Sequence, residues 1–277
     1  MRILKFFFLF LTISLLGVSC ATKTPKDCCG QIGSAYTKQT EPMFEQNHPV
    51  ELPDSYYKDD KDQFDPNSVR IVDQIGRNLL VRGNHPISNG QFAYEQLKQA
   101  IDAQLSMRRS KSLSPNFLLI NISLMQLGEF SLENEWFARN SHFGCYWNRP
   151  VVGSLLSPDK FTKHERNAYF AASDIIELNQ FIDKIHSLLS SNCGRPVVVY
   201  IHCKSGKNRT GEVIACYRMK YMGMSYKEAV KANTDAFGEI HEINQNAIKW
   251  YALYLKEVEG MNSIGDIPGV DNGIKSK

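Results

Sequence analysis

The chain has 277 residues, of which 43% are hydrophobic, and its formal net charge is +3 at pH 7. This length and apolar content allow a sizeable core, and one large domain is favoured over two small ones. The small net charge excludes the strongly basic pattern of a nucleic-acid-binding protein. We therefore expect any basic surface to be local to a functional site.

The first 20 residues have the pattern of an export signal. A short basic start precedes an apolar run, Phe6–Leu16, which is shorter than the roughly 20 residues that cross a bilayer. Gly17-Val-Ser-Cys20 resembles a bacterial lipobox, except that a lipobox has an aliphatic residue in place of Gly17. Either Cys20 is lipidated as a membrane tether, or the signal is cleaved after Ala21. Both outcomes predict an exported protein: periplasmic, anchored to the outer membrane, or secreted.

The remaining chain divides by composition. Residues 21–66 are polar and predict a tether and an extended arm, residues 67–261 carry the sustained periodicity of one domain, and the glycine-rich residues 262–277 predict a flexible tail. Asp59-Asp-Lys-Asp62 lacks the glycine and glutamate of a calcium loop and predicts a solvated turn.

The seven cysteines do not predict a metal site or a complete disulfide framework. No pair has zinc-ligand spacing and the histidines are scattered, so we expect neither a metal nor a cofactor. Setting Cys20 and Cys203 aside leaves five, an odd number. Export permits disulfides, for which Cys28 and Cys29 are favoured, whereas Cys216 is expected to fill the core.

Apolar spacing predicts the first elements of the domain. Asn78–Gly83 predicts a strand, followed by a turn. A helix should follow, capped by Ser88 or Asn89. Its apolar face would consist of residues at helical spacing: Tyr94, Leu97, Ile101 and Leu105.

The central part alternates strands and helices. Strands are predicted at residues 117–124 and 197–201, and helices at 175–189, 213–222 and 244–258, with a helix start at Ser157-Pro-Asp159 and a capping box at Ser225–Glu228. Residues 133–152 predict an aromatic, irregular loop, either a substrate wall or a lid packed on the core. Val258, at the end of the last predicted helix, is expected to face the core. Strand, helix and strand in this order predict an α/β fold with a central, mainly parallel sheet flanked by helices.

One loop concentrates the chemistry. The strand that begins at Val197 runs into His202-Cys-Lys-Ser-Gly-Lys-Asn-Arg-Thr-Gly211, which is followed by a helix. A helix N-terminus offers unpaired backbone N–H groups and a positive dipole end, which suit a phosphoryl group and favour a thiolate at Cys203. Arg209 can bind two phosphoryl oxygens through its planar guanidinium.

This loop resembles the signature of the cysteine-dependent protein tyrosine and dual-specificity phosphatase superfamily. The likeness comprises a preceding strand and histidine, Cys203 and Arg209 separated by five residues, Gly206 within the loop, and Thr-Gly after the arginine. Lysines at 204 and 207 make it similar to loops of phosphatase-and-tensin-type lipid phosphatases and bacterial effector inositol phosphatases. The strand, Arg-Gly-x-x-Pro turn and helix from residue 78 resemble the family's opening unit. The resemblance thus covers most of residues 70–260 and implies a tyrosine-phosphatase-like fold.

The resemblance implies a phosphoric monoester hydrolase that forms a phosphocysteine on Cys203. Arg209 and the backbone of the loop would bind the phosphoryl oxygens, and the loop residues are Lys204, Ser205, Gly206, Lys207 and Asn208. The Thr210 hydroxyl would bond the cysteine sulfur, and His202 would brace the loop. The loop supplies the positive charge, so the family mechanism needs no metal.

The family's proton donor is not evident. Asp159 and Asp174 are the candidates, although each can instead be a helix-terminal aspartate, and some inositol-phosphate members lack an obvious acid. An amide that positions the hydrolytic water is expected among Asn244, Gln245 and Asn246.

Lys204 and Lys207 are either ordinary solvated lysines or a feature that favours polyanions. The second interpretation places inositol phosphates and phosphoinositide headgroups slightly ahead of phosphoproteins as substrates. The alternatives from other classes are a non-catalytic exported phosphate-binding module and a sulfurtransferase.

Overall fold

The computed structural model describes residues 63–126 and 131–270. The strands are β1 (Arg70–Ile75), β2 (Asn78–Gly83), β3 (Ile87–Ser88), β4 (Gln91–Phe92), β5 (Leu118–Ser123), β6 (Gly144–Asn148) and β7 (Val197–His202). The helices are α1 (Tyr94–Met107), α2 (Ser131–Arg139), α3 (Lys163–Ala172), α4 (Ile175–Leu189), α5 (Asn208–Tyr221), α6 (Tyr226–Phe237) and α7 (Glu242–Glu257). Short 3-10 turns lie at Pro66–Ser68, Pro158–Lys160 and Asn262–Ile264.

The main sheet has five strands in the order β1-β2-β7-β5-β6. β1 pairs antiparallel with β2, and the other pairs are parallel. This confirms the predicted α/β class with a mainly parallel sheet. Because parallel strands end at the same edge, the segments after β2, β5, β6 and β7 are brought together there.

Strand β7 is the centre of the sheet and is buried on both faces. Val197, Val199 and Ile201 pack into the larger core, which lies under α4, α5 and α7. Val198 and Tyr200 pack into the smaller core on the other face, which includes the apolar side of α1. Side chains alternate across a strand, so an unbroken apolar run is what a doubly covered strand requires.

The described helices confirm several predicted boundaries. α4 spans Ile175–Leu189, and α7 covers the predicted final helix within two residues. The capping box of α6 is present, since Ser225 Oγ accepts from Glu228 N and Glu228 Oε2 accepts from Ser225 N.

Other predictions were wrong in detail. The cap residue of α1 is Ala93, with no side-chain cap, because Ser88 and the residues after it form the small hairpin β3-β4. Ser157-Pro-Asp159 opens only a 3-10 turn, and the α-helix begins five residues later behind a capping box at Thr162. Val258 is 54% exposed instead of facing inward.

Residues 133–152 are not an irregular loop, because they contain most of α2 and all of β6. Their aromatic side chains pack on the fold: Trp136 stacks on Tyr94, and Trp147 meets Phe181 edge to face. The structure therefore favours the core-packing interpretation of this stretch over the substrate wall.

The tail was expected to be flexible from residue 262, but its first nine residues complete the core. Ile264, Ile267 and Val270 are buried, and Lys256 Nζ donates to Gly265 O at 2.8 Å. The ordered domain therefore extends to Val270, because three apolar side chains outweigh the glycine content of the segment.

Cysteine placement is partly settled. Cys216 is buried and free, as predicted for a core residue, whereas Cys145 and Cys193 are disulfide-bonded. The signal segment, the Cys20 tether, Cys28, Cys29 and the acidic turn at 59–62 lie outside the described residues. In the described ranges, no helix is long and apolar enough to cross a membrane.

Candidate active site

The predicted loop lies at the carboxyl edge of the sheet, between the end of β7 and the start of α5. His202 is paired with Gly83 on one side and Ser123 on the other, so the loop begins where three parallel strands end. Cys203 is only 2% exposed and lies at the base of the loop. Arg209 and Thr210 fall in the first turn of α5. The structure therefore brings nucleophile candidate, arginine and helix N-terminus to one point, as the sequence predicted.

The end of β2 and the turn after it hold the backbone of the loop in place. Arg82 Nη2 donates to Gly206 O at 2.7 Å, and His85 N donates to Lys204 O at 3.1 Å. These bonds occupy carbonyl oxygens on the outer side of the loop. In the described part of the chain, the backbone N–H groups of Ser205 and Gly206 donate to no residue. The loop is thus arranged as a set of donors for an anion.

Arg82 is a buried cation with several partners. Its side chain is 1% exposed, its other terminal nitrogen donates to Asn233 Oδ1, and its guanidinium carbon lies 3.8 Å from the centre of the Phe237 ring. Burial lowers the pKa of Arg82 to about 9, and Arg218 acts in the same direction. The guanidinium therefore remains charged at neutral pH and adds positive charge under the loop.

Gly206 is required by geometry. Its φ is +68°, and a Cβ there would lie 2.3 Å from Gly83 O. Both the left-handed backbone and the close approach to β2 exclude a side chain. Glycine therefore allows the loop to turn tightly against the strand that supports it.

Four loop residues differ in the contacts that their side chains make. Arg209 Nη1 lies 3.4 Å from Leu124 O, and Asn208 Oδ1 accepts from His241 N at 2.9 Å, which joins the loop to the start of α7. Ser205 is exposed, and its Oγ lies 3.4 Å from Lys207 N. Thr210 Oγ1 is buried without a partner among the described residues, as a hydroxyl reserved for a neighbouring sulfur would be.

A buried carboxylate and two histidines lie beneath the loop. Glu133 on α2 is fully buried, with Oε1 at 2.8 Å from His202 Nε2 and Oε2 at 3.4 Å from His85 Nε2. Asn121 Nδ2 donates to Glu133 Oε1 at 2.6 Å. The geometry confirms that His202 braces the loop, because its ring is enclosed beside Glu133 and stacks on Tyr200.

The charge state of this cluster follows from opposing effects. Burial acts to raise the pKa of Glu133, but His202 and His85 outweigh it and lower the pKa to about 2. Burial lowers the pKa of His202, although Glu133 opposes the change. The Glu133 carboxylate is thus ionised and enclosed beside the two imidazole rings, and this packing stiffens the residue next to Cys203.

A second buried carboxyl lies in the first turns of α5. Glu212 is 3% exposed, and burial raises its pKa to about 8, although the bond from Asn244 lowers it. Asn244 Nδ2 donates to Glu212 Oε2 at 2.7 Å. Of the other amides proposed to position water, Gln245 Nε2 donates to Ile240 O and Asn246 Nδ2 to Ser154 O. Each of the three amide NH₂ groups is thus already used within the protein.

The two candidate acids occupy different environments. Asp159 Oδ2 lies 2.7 Å from Lys249 Nζ, so its carboxylate is held by a cation on α7. Asp174 is exposed at the start of α4, where it makes no side-chain cap bond. The structure therefore leaves Asp174 the less constrained of the two.

The extra lysines lie at the mouth of the loop. Lys204 is exposed and Lys207 is half-buried, with Nζ over Gly238. No group of three or more metal-ligating side chains occurs in the described ranges.

Sequence reasoning missed several supporting residues. Glu133 lay in a stretch interpreted as irregular, and Asn233 carries no motif. Arg82 and His85 had a signal, since the Arg-Gly-Asn-His-Pro run spans the end of a predicted strand and the turn after it. Their contacts with the loop depend on strand order, which the sequence did not specify.

Comparisons with known proteins agree with this geometry. Residues 163–254 match the model of the dual specificity phosphatase catalytic domain. No curated protein sequence is significantly similar to the chain.

Similar solved structures are low in identity. Tk-PTP is 15% identical, with 70% of this chain and 99% of that chain covered and a TM-score of 0.45. The core of the PP-IP phosphatase SIW14 from S. cerevisiae, in complex with citrate, is 17% identical, with 73% and 94% covered and a TM-score of 0.40. PTPMT1 in complex with PI(5)P is 14% identical, with 66% and 94% covered and a TM-score of 0.38.

The matched residues include the loop that carries Cys203 and Arg209 at the carboxyl edge of the sheet. This part of the chain is therefore similar to the catalytic domain of dual specificity phosphatases, and its loop supports a cysteine-dependent phosphatase activity.

Proposed function

We propose that the enzyme hydrolyses phosphoric monoesters through a phosphocysteine on Cys203, and that inositol phosphates or phosphoinositide headgroups are preferred over phosphoproteins. One observation carries the mechanism: Cys203 lies at the base of a loop whose carbonyl oxygens at 204 and 206 are bound to the turn after β2 and to β2, while the N–H groups of Ser205 and Gly206 donate to no residue that the structure describes. Such donors stabilise the equatorial oxygens as charge develops on phosphorus.

In the first step, the Cys203 thiolate attacks phosphorus and the ester oxygen departs with its electron pair, taking up a proton. Arg209 and the backbone of residues 204–209 bind the three remaining oxygens. Thr210, whose buried hydroxyl has no described partner, donates to the sulfur in the second step. Water then attacks phosphorus, the S–P bond breaks, and inorganic phosphate leaves.

Asp174 is proposed as the proton donor, because Asp159 is held by Lys249. A proton donor matters most for a poor leaving group. Asp174→Asn should therefore slow hydrolysis of an inositol phosphate much more than that of an aryl phosphate, whereas Asp159→Asn should slow neither selectively. Equal losses for both substrates in Asp174→Asn would remove it as the donor.

The substrate preference is supported by Lys204 and Lys207 at the mouth of the site, since two additional cations act on every phosphate of a polyanion but little on a single phosphotyrosine. Export and a lipid tether through Cys20 remain proposals from the sequence. They agree with a lipid headgroup as substrate.

The decisive experiment measures phosphate release from an aryl phosphate and a panel of inositol phosphates, with wild type and Cys203→Ser. We expect turnover by wild type, none by Cys203→Ser, and a trapped phosphoenzyme on rapid acid quenching of wild type only. Phosphate release by Cys203→Ser, or none by wild type with any substrate, would overturn the proposed mechanism.

A further inference from the structure

An apolar projection stands beside the mouth of the active site. Val152, Leu155 and Leu156, here called the apolar tip, are 64%, 80% and 44% exposed. They are three of the six large hydrophobic side chains that are exposed in the described ranges, and they fall within five consecutive positions. Single exposed apolar residues are ordinary, whereas a cluster marks a surface that contacts something.

The register of the sheet places this projection at the catalytic edge. Asn148, the last residue of β6, and His202, the last residue of β7, are both paired with Ser123. The segment after β6 therefore starts at the same edge as the loop His202–Gly211, here called the phosphate loop. Immediately beyond it, Val151 N and Arg209 Nη1 each lie 3.4 Å from Leu124 O.

The backbone of the segment is fixed on its inner side. Ser154 N donates to Ile243 O at 2.8 Å, and Trp250 Nε1 donates to Leu156 O at 2.8 Å. α7, which supplies both partners, is itself joined to the phosphate loop through His241 and Asn208. These two bonds hold the backbone of the segment against α7, while Val152 and Leu155 remain largely exposed.

The flanking charges fit an anionic surface. Lys160 and Lys163, four and seven residues after the end of the tip, are exposed, and Lys204 is exposed on the phosphate loop. The carboxylate of Asp159, within the same stretch, is paired with Lys249. Apolar side chains next to lysines are the composition of segments that enter the headgroup region of a bilayer.

We propose that the apolar tip inserts into a lipid surface, so that the enzyme takes its phosphomonoester from a membrane lipid headgroup. This rests on the proposed phosphatase function and narrows its substrate to a lipid. A lipid surface is favoured over a protein because recognition of a peptide uses a sheet edge or a groove, whereas Val152 and Leu155 are 64% and 80% exposed and belong to no strand or helix.

The test uses the full chain with Cys20→Ser, so that lipidation cannot anchor it. Val152→Ser with Leu155→Ser is compared with Met107→Ser with Val258→Ser, a control that removes two apolar side chains which are 74% and 54% exposed elsewhere. Sedimentation is measured with phosphatidylcholine vesicles that contain a phosphatidylinositol monophosphate. Turnover is measured on the same vesicles, on the soluble inositol phosphate headgroup, on a phosphopeptide and on an aryl phosphate.

We expect the tip variant to lose at least about tenfold in vesicle affinity, given the transfer free energy of two apolar side chains, while the control binds as the parent does. The ratio of vesicle turnover to soluble turnover should fall in the tip variant alone. Equal vesicle binding by tip variant and control would overturn the proposal. So would a tip variant that loses phosphopeptide turnover but keeps vesicle binding, because the tip would then contact protein.

Failure of the phosphatase function gives a different result. If the parent hydrolyses neither vesicle lipid, soluble headgroup nor aryl phosphate, the proposed function is lost, while tip-dependent vesicle binding would still establish the surface contact.

Discussion

Arg82 Nη2 lies 2.7 Å from the carbonyl oxygen of Gly206, a residue 124 positions further along the chain. The bond joins the end of β2 to the middle of the phosphate loop. Since the donor is a buried cation and the acceptor lies on the outer side of the loop, it fixes the loop and adds positive charge behind the anion site.

Replacing Arg82 should therefore destabilise the phosphate loop, although the two are far apart in the sequence. Arg82→Met leaves Gly206 O and Asn233 Oδ1 without their donor, which costs about 1–3 kcal/mol for an unsatisfied buried group. We expect a lower free energy of unfolding in urea and a lower kcat on an aryl phosphate. Arg77→Met, an exposed arginine in the β1–β2 turn, is the matched control, and equal effects of the two changes would contradict the prediction.

Gly206→Ala tests the tight approach of the loop to β2. Gly223 has nearly the same φ, +67° against +68°, but open space around its Cβ position. Gly223→Ala should cost only the left-handed backbone penalty of about 1–2 kcal/mol. Gly206→Ala adds a clash with Gly83 O, so it should unfold more easily and lose activity on the order of a hundredfold. Thermal melts and initial rates separate the two, and similar losses at both positions would show that the clash is relieved cheaply.

Glu133→Gln should destabilise the fold by about 3 kcal/mol at neutral pH, because the lowered pKa of Glu133 means that the folded state favours its charged form. Glu133 has a lowered folded pKa of about 2, so its stabilisation is present above the unfolded value and is lost as the pH falls towards 2. Urea titrations at several pH values should show that the difference in free energy of unfolding between wild type and variant becomes smaller as the pH falls. Glu135→Gln, exposed on the same helix, should show no gap, and a gap independent of pH would exclude the charge as the cause.

The ionisation of Glu212 should change stability with pH in the opposite direction from that of Glu133. Its folded pKa of about 8 lies above that of the unfolded carboxyl, so the unfolded chain releases a proton first and stability falls as pH rises towards 8. Glu212→Gln keeps an acceptor for Asn244 without this titration. The variant should gain up to about 1.4 kcal/mol per pH unit over wild type in this window. Melting profiles that stay parallel from pH 5 to about pH 8 would contradict the raised pKa, and Glu242→Gln serves as the exposed control.

Lys207→Ala tests the preference for polyanions. Removing one cation at the mouth should weaken transition-state binding of an inositol polyphosphate by about 1–2 kcal/mol, roughly five- to thirtyfold in kcat/KM. The loss for an aryl phosphate should be smaller, because only one phosphate feels the change. Lys227→Ala, an exposed lysine on α6, should alter neither, and an unchanged substrate ratio in Lys207→Ala would remove the electrostatic argument.

The sequence by itself determined the local part of the site. β7, the phosphate loop and the first turn of α5 are contiguous, so an apolar run, a glycine and a helix start suffice to place Cys203 beneath a helix N-terminus. The long amphipathic helices were also predictable, because their periodicity over 14 to 16 residues outweighs local exceptions.

Only the tertiary structure decided what supports and surrounds the loop. Arg82, His85 and Glu133 lie 69 to 124 residues before the residues that they contact at the loop, and their convergence depends on β7 lying between β2 and β5. Local propensity does not encode that order. The same strand order brings the segment after β6 to the catalytic edge. There, Ser154 N bonds to α7, while the apolar side chains of 152, 155 and 156 remain exposed to solvent.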